Sequence, residues 1–202
     1  MEKKTATAAV GLTAEQGRAL LLLARCTLEE RFHRRPPRCG ALDVQLADPA
    51  FDRTCGTFVT LHAAGRLRGC IGCLAAAESI RDGVRRNALN AAFHDSRFAP
   101  LTEGELDGVV VEVSILTEPR PLAYADGDDL LLRLRPGIDG VILNCGGCRA
   151  TFLPQVWEQL PDPAAFLSHL CAKACLPPDC WRRQKPEIAV YQVQKYSEDD
   201  RE

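Results

Sequence analysis

Six consecutive residues, Leu67-Arg68-Gly69-Cys70-Ile71-Gly72, bring a nucleophile, a cation and two glycines together. A cysteine attacks carbon or binds metal as its thiolate, and a neighbouring guanidinium favours that form. Gly69 and Gly72 lack a Cβ, so the backbone there is free to take positive φ or to let another group come close. Period-two alternation along a strand sets Arg68 and Cys70 on one face. The N–H groups around the glycines are candidates for an anion-binding nest. Cys70 is therefore the first candidate for nucleophilic or radical-handling chemistry. The opposing reading is a small residue buried by tight packing under a turn.

Other groups capable of chemistry are more scattered. Cys70/Cys73 and Cys145/Cys148 are two C-x-x-C units whose four thiolates together would suit zinc or an iron–sulfur cluster. The 71 residues between the units far exceed zinc-ribbon spacing, so no metal or cofactor is assigned. Cys145-Gly146-Gly147-Cys148 instead sets two thiols opposite each other beside a tight turn, within disulfide reach. Cys171 and Cys175, at i and i+4 on a helix, read as core packing together with Cys180. No Cys–His pair is evident. His62 precedes Cys70 by eight residues and is placed across a hairpin from it, while His94 and His169 fall on helices.

These groups need elements to hold them. Residues 1–11 read as a disordered lead, and Thr13-x-x-Gln16 is a capping box for a leucine-rich helix running to about Phe32. Residues 35–49, with three prolines and a glycine, read as a loop. Residues 55–61 and 67–71 form a hairpin through Ala64-Gly65, which leaves Cys70 at its end. A helix over 78–94 stacks Ile80, Val84, Ala88, Ala91 and Ala92 on one stripe. Residues 108–117 alternate, with Glu112 and Ser114 opposite Val109, Val111, Val113 and Ile115. Asp126 caps a short helix to Leu134, and a second hairpin joins 138–145 to 148–152. A helical turn near Trp157, a helix from Pro163 to about Leu176 and one strand over 188–196 complete the chain. Hairpins imply antiparallel pairing, so the fold class is α+β. Phe152, Pro154 and Trp157 near a turn read either as core or as a partner-docking patch.

Composition narrows the function classes. With 202 residues, 46% hydrophobic and 26% charged, the chain matches an ordinary globular protein. A net charge of −2 argues against a nucleic-acid partner, which demands a basic face. The longest apolar run, Ala19 to Ala24, is far short of a membrane span of roughly 20 residues. The first residues lack the apolar core of a signal peptide, so the expected location is cytoplasmic. Ten cysteines in a reducing compartment should be mostly free thiols.

Several motifs, in order, carry a resemblance. Gly56-Thr57-Phe58-Val59-Thr60-Leu61 followed by Leu67-Arg68-Gly69-Cys70-Ile71-Gly72 resembles the AMMECR family, whose bacterial and archaeal members are called AmmeMemoRadiSam system protein A. Asn87-Ala88, Ala91-Ala92-Phe93 and Asp95-Ser96-Arg97-Phe98 match its helix motif. The stretch from Val111 to Thr117 matches its central strand. Pro136-Gly137-Ile138-Asp139-Gly140, Thr151 to Glu158, Phe166-Leu167 and Lys173-Ala174 match its distal motifs. Ser96 stands where the family commonly has proline, and the segment from Cys73 to Glu78 lacks the family's usual prolines. The resemblance implies an α+β fold of two unequal, closely packed subdomains with mainly antiparallel sheets, over residues 12–196, followed by a charged tail over 197–202. It also implies linkage with a Memo-like protein and a radical S-adenosylmethionine (SAM) protein. It brings no settled activity.

The resulting expectation is a cytosolic component of a Memo and radical SAM pathway that binds a small molecule in an inter-subdomain cleft. Cys70 supplies the catalytic thiol. Arg68, Gly69, Gly72, Asn87, Arg97 and Glu112 bind substrate, with Arg68 and Arg97 neutralising an anionic group and Glu112 acting as polar anchor or base. An internal ion pair of Arg97 with Asp95 or Glu112 is the competing reading. The alternative function is a non-enzymatic adaptor that docks onto the same partners. Whether the protein is an enzyme at all stays open.

Overall fold

The computed structural model describes residues 11–74 and 77–200, and the chain divides into two units. The first is Met1–Thr117 with Gln194–Glu202, and the second is Glu118–Val193. The disordered lead expected over residues 1–11 falls almost wholly outside the described residues, as do Ala75 and Ala76 beside the Cys70 strand. Among the described residues no helix is long and apolar enough to cross a membrane.

In the first unit, helix α1 (Ala14–Arg31) starts at the capping box read from Thr13 and Gln16. The expected loop over 35–49 contains a 3₁₀ turn at Pro37–Ala41, a one-turn helix α2 (Leu42–Gln45) and a second 3₁₀ turn at Pro49–Asp52. Prolines open both 3₁₀ turns, where their missing N–H costs nothing. Strands β1 (Thr57–Ala63) and β2 (Arg66–Cys73) form the hairpin, and helix α3 (Ile80–Phe93) follows with Ser79 as its cap. Strand β3 (Val109–Leu116) pairs with β1.

The second unit opens with the two-residue strand β4 (Arg120–Pro121) and helix α4 (Gly127–Arg133), capped by Asp126 as expected. Strands β5 (Gly140–Cys145) and β6 (Cys148–Phe152) form its hairpin. Helix α5 (Pro163–Lys173), the one-turn helix α6 (Cys180–Arg183) and strand β7 (Glu187–Tyr191) follow. Strand β8 (Val193–Ser197) returns to the first unit.

Both sheets are four-stranded, in the orders β2-β1-β3-β8 and β4-β7-β5-β6. The fold class is α+β. The single strand expected over 188–196 is thus two strands serving two sheets, a division that alternation within one segment cannot reveal. Within the segment read as a charged tail, Glu198 accepts from the Arg25 guanidinium and, at 2.8 Å, from the backbone N–H of Val111, which ties it to α1 and β3.

Helices α1 and α3 cover one face of the first sheet. Leu20, Leu23, Ala24 and Leu28 of α1 and Val84, Ala88 and Ala91 of α3 share a core with Val59, Leu61, Val111 and Val113. These strand residues are the inward half of an alternating pattern, so Phe58, Thr60 and His62 stand on the opposite face. The second unit has its own core, in which Trp157 stacks on Phe166 with ring centroids 3.7 Å apart.

Candidate functional site

Sheet register assembles the site. Thr60 of β1 lies opposite Cys70 of β2 on one side and opposite Glu112 of β3 on the other. A row therefore runs across the face opposite α1 and α3: Cys70, Thr60, Glu112 and then Lys195 of β8. The Thr60 hydroxyl donates to the Cys70 sulfur at 3.3 Å. Glu112 Oε2 sits 2.7 Å from the Lys195 ammonium and 3.8 Å from His62 Nε2. Glu112 is only 8% exposed, and a buried carboxylate without a cation costs several kcal/mol, so Lys195 is its required partner.

Cys70 lies in the middle of β2 rather than at the end of the hairpin. Because β2 is the edge of its sheet, the outward N–H and C=O of Cys70 lack a strand partner. Asp95 and Arg97 supply one. The Asp95 carboxylate accepts from the Cys70 N–H at 2.9 Å, and Arg97 Nη2 donates to the Cys70 carbonyl at 3.3 Å. The two side chains are locked by paired bonds of 2.9 and 2.7 Å. Those bonds from Arg97 hold the Asp95 carboxyl well below the usual carboxylate range, and burial only partly opposes them. The same Asp95 bond raises Arg97. The internal ion pair is therefore the reading realised for Arg97, with Asp95 and not Glu112. It covers an exposed strand edge, a device that keeps edges from pairing with other chains.

Arg68 departs from expectation. The register of β2 on β1 shifts between Leu61 and His62, so Leu67 pairs with His62 while Gly69 pairs with Leu61. Arg68 is the extra residue of this bulge, which breaks the alternation that set it beside Cys70. It forms a two-bond pair with Glu105, at 2.9 and 3.2 Å. Glu105 is held at about 2 by Arg68 first and by the Thr102 backbone second. Arg68 is thus committed to a carboxylate of its own chain, and Arg97 is the cation nearest the Cys70 peptide.

Neither Gly69 nor Gly72 has positive φ. Both are required by crowding instead. A Cβ on Gly69 would lie 2.1 Å from the Ala91 carbonyl oxygen of α3. One on Gly72 would overlap the Phe58 ring at 2.2 Å. No nest forms around them, since the Cys70 N–H is taken by Asp95. Asn87 stands on the helix face, away from the Cys70 sulfur, where its amide donates to the Thr57 carbonyl and hydroxyl at 3.0 and 2.9 Å. It fastens α3 to β1. Of the residues expected to bind substrate, Glu112 and Gly72 share the face of the Cys70 thiol, and of these only Glu112 brings a side chain to it.

Other expectations are settled by placement. Cys70 and Cys73 occupy alternating positions of β2 that face opposite ways, so they do not converge. Cys145 and Cys148 belong to the other unit, and both pairs are free thiols. Among the described residues one disulfide joins Cys26 and Cys39, and the other eight cysteines there are free. His62 pairs with Leu67 across the hairpin and reaches Glu112, not Cys70. Trp157 is buried and donates to the Asp139 carbonyl at 2.7 Å, while Phe152 packs edge-on against Phe166. Trp157 belongs to the core, and the half-buried Phe152 packs against it.

Sequence reasoning assigned no role to Thr60, Glu105 or Lys195. Alternation of Phe58, Thr60 and His62 was a usable sign for Thr60. Nothing local marked Lys195, because its contact depends on β8 crossing back beside β3.

Comparison with known proteins agrees with this architecture. Residues 21–196 match the AMMECR1 family. A protein of Methanothermobacter thermautotrophicus is 39% identical over 192 residues, covering 93% of this chain and 97% of its own. A protein of Methanosarcina barkeri is also 39% identical, covering 93% and 92%. The crystal structure of the uncharacterised protein PH0010 from Pyrococcus horikoshii superposes with a TM-score of 0.74 at 29% identity, over 93% of this chain and 94% of that one. With a family match across most of its length and relatives of this similarity, the chain belongs to the AMMECR1 family.

Proposed function

We propose that this AMMECR1-family protein is a cytoplasmic component of a pathway shared with a Memo-like protein and a radical SAM protein. In this reading it binds a small molecule on the face of the first sheet opposite α1 and α3, through Cys70. The observation that carries the reading is the Cys70–Thr60–Glu112–Lys195 row: a half-buried sulfur receiving a hydroxyl hydrogen bond, in line with a paired buried carboxylate. The sulfur supplies a nucleophile, Thr60 a donor to it, and Glu112 with Lys195 and His62 a polar anchor able to accept or return a proton. Arg97 and Asp95 act on the main chain of Cys70 and fix its position. The adaptor alternative is the less favoured reading, because Trp157 is buried against Phe166 and Phe152 packs edge-on against the same ring.

The test is alkylation of Cys70 as a function of pH, read peptide by peptide by mass spectrometry under reducing, metal-chelated conditions. Fast labelling of the native protein, slowed by Thr60→Val, supports the reading. Labelling only on unfolding makes Cys70 a packing residue and ends it. Unchanged pathway output with Cys70→Ser would remove the catalytic version.

A further inference from the structure

The second unit holds thiols that the proposed function does not use. Cys145 ends β5, just before the Gly146-Gly147 turn, whose residues have φ of +58° and +85°. Cys180 opens α6. Their sulfurs are 3.7 Å apart, in direct contact, and both are free. The Gln184 side-chain oxygen accepts from both, at 3.4 Å from Cys145 and 3.7 Å from Cys180, so the two S–H groups converge on one acceptor.

Exposure is asymmetric. Cys145 borders an open recess of about 270 Å³ that Gln184, Lys185 and Glu187 also line. Cys180 is 1% exposed. We infer that Cys145 and Cys180 form an oxidisable dithiol, with Cys145 as the thiol that meets a hydroperoxide and Cys180 as the thiol that resolves it.

The chemistry balances with one hydroperoxide. The Cys145 sulfur attacks the terminal peroxide oxygen; an S–O bond forms, the O–O bond breaks, and the alcohol departs with the thiol proton. Sulfur is oxidised to a sulfenic acid and the peroxide is reduced. The Cys180 sulfur then attacks the Cys145 sulfur. An S–S bond forms, the S–O bond breaks, and the hydroxyl leaves as water with the Cys180 proton. Closing 3.7 Å to the roughly 2.0 Å of a disulfide takes a side-chain rotation at each cysteine, beside a two-glycine turn. Burial, with the Cys145 sulfur beside it, pushes the Cys180 thiol up, so Cys145 and not Cys180 is the thiol that meets the peroxide. Cys148 faces Cys145 across the hairpin, yet the Cys145 sulfur turns to Cys180 and Gln184.

The experiment treats the reduced full-length protein with one equivalent of hydrogen peroxide, blocks remaining thiols and maps the digest without reductant. Cys145 and Cys148 share one tryptic peptide, whereas Cys180 lies on another, so the two pairings differ in mass and not only in fragmentation. The expected product is a Cys145–Cys180 cross-link lighter by two hydrogens and released by dithiothreitol. Cys145→Ser abolishes it, Cys148→Ser leaves its yield unchanged, and Cys180→Ser leaves a sulfenic acid at Cys145 that dimedone traps. Since Cys180→Ser alters a buried site, the wild-type map and the variant at the more exposed Cys145 decide the matter. A Cys145–Cys148 link overturns the inference, as does oxidation at Cys70 or Cys175 while Cys145 stays reduced. Thiols that react only after a chelator is added overturn it in favour of a metal site.

Discussion

Replacing Gly69 with alanine tests why the Cys70 strand is built as it is. The new Cβ would stand 2.1 Å from the Ala91 carbonyl oxygen and 3.0 Å from its carbon, both backbone atoms of α3. Cβ contacts below 3.0 Å are essentially never seen, so β2 and α3 must separate by about 1 Å. Neither atom is on a flexible side chain that can swing aside. Overpacking of a well-filled core costs about 1–3 kcal/mol, and the rigid neighbour puts this site at about 3. Alanine recovers up to about 1 kcal/mol by restricting the unfolded chain. The net loss is about 2 kcal/mol, or roughly 6 °C in Tm. Gly40, with nothing within 4 Å of a built Cβ and no positive φ, is the control, and Gly40→Ala should be neutral or stabilising by up to about 1 kcal/mol. The assay is urea and thermal unfolding followed by circular dichroism, because both tryptophans, Trp157 and Trp181, sit in the second unit and report on it. The same retreat would loosen the Cys70 N–H bond to Asp95 and speed Cys70 alkylation. Equal stability of Gly69→Ala and Gly40→Ala would refute the reasoning.

Three further outcomes are expected. Asp95→Asn removes the charged acceptor from both Arg97 and the Cys70 N–H, and should cost about 1.5–3 kcal/mol while raising Cys70 alkylation in the native protein. Glu105 has its folded pKa lowered from an ordinary 4.5 to about 2, so its contribution is complete above 4.5 and lost as pH falls toward 2; Glu105→Gln should flatten that part of the stability curve measured by urea unfolding between pH 5 and 2. Trp157→Ala removes a ring that is 3% exposed and stacked on Phe166, at a cost of about 3–5 kcal/mol; Trp181 fluorescence during unfolding measures it, and a small effect would return the Phe152–Trp157 turn to the surface.

Local rules carried much of the fold. The capping box at Thr13, the Asp126 cap and the alternation of β3 are short-range signals, and each marked its element within a few residues. The candidate site was less legible. Cys70 and Glu112 stood out as chemically unusual residues, yet their common row required the register of three strands. Arg68 was misplaced because a bulge is one residue of slippage that no pattern in Arg66–Cys73 announces. Of the two reasons read for Gly69 and Gly72, close approach applies and positive φ does not, and which groups approach, Ala91 and Phe58, was not legible because they are distant in sequence.

By itself, the sequence determined where helices and strands form, the α+β class and the thiol most worth testing, because caps, periodicity and composition act between near neighbours. Only the tertiary structure decided that Thr60 and Lys195 join Cys70 and Glu112, that Arg97 guards a strand edge, and that Cys145 touches Cys180. Those pairings are set by which strands lie side by side and by which faces are buried, and residues far apart in the chain meet only once the hydrophobic cores of the two units have formed.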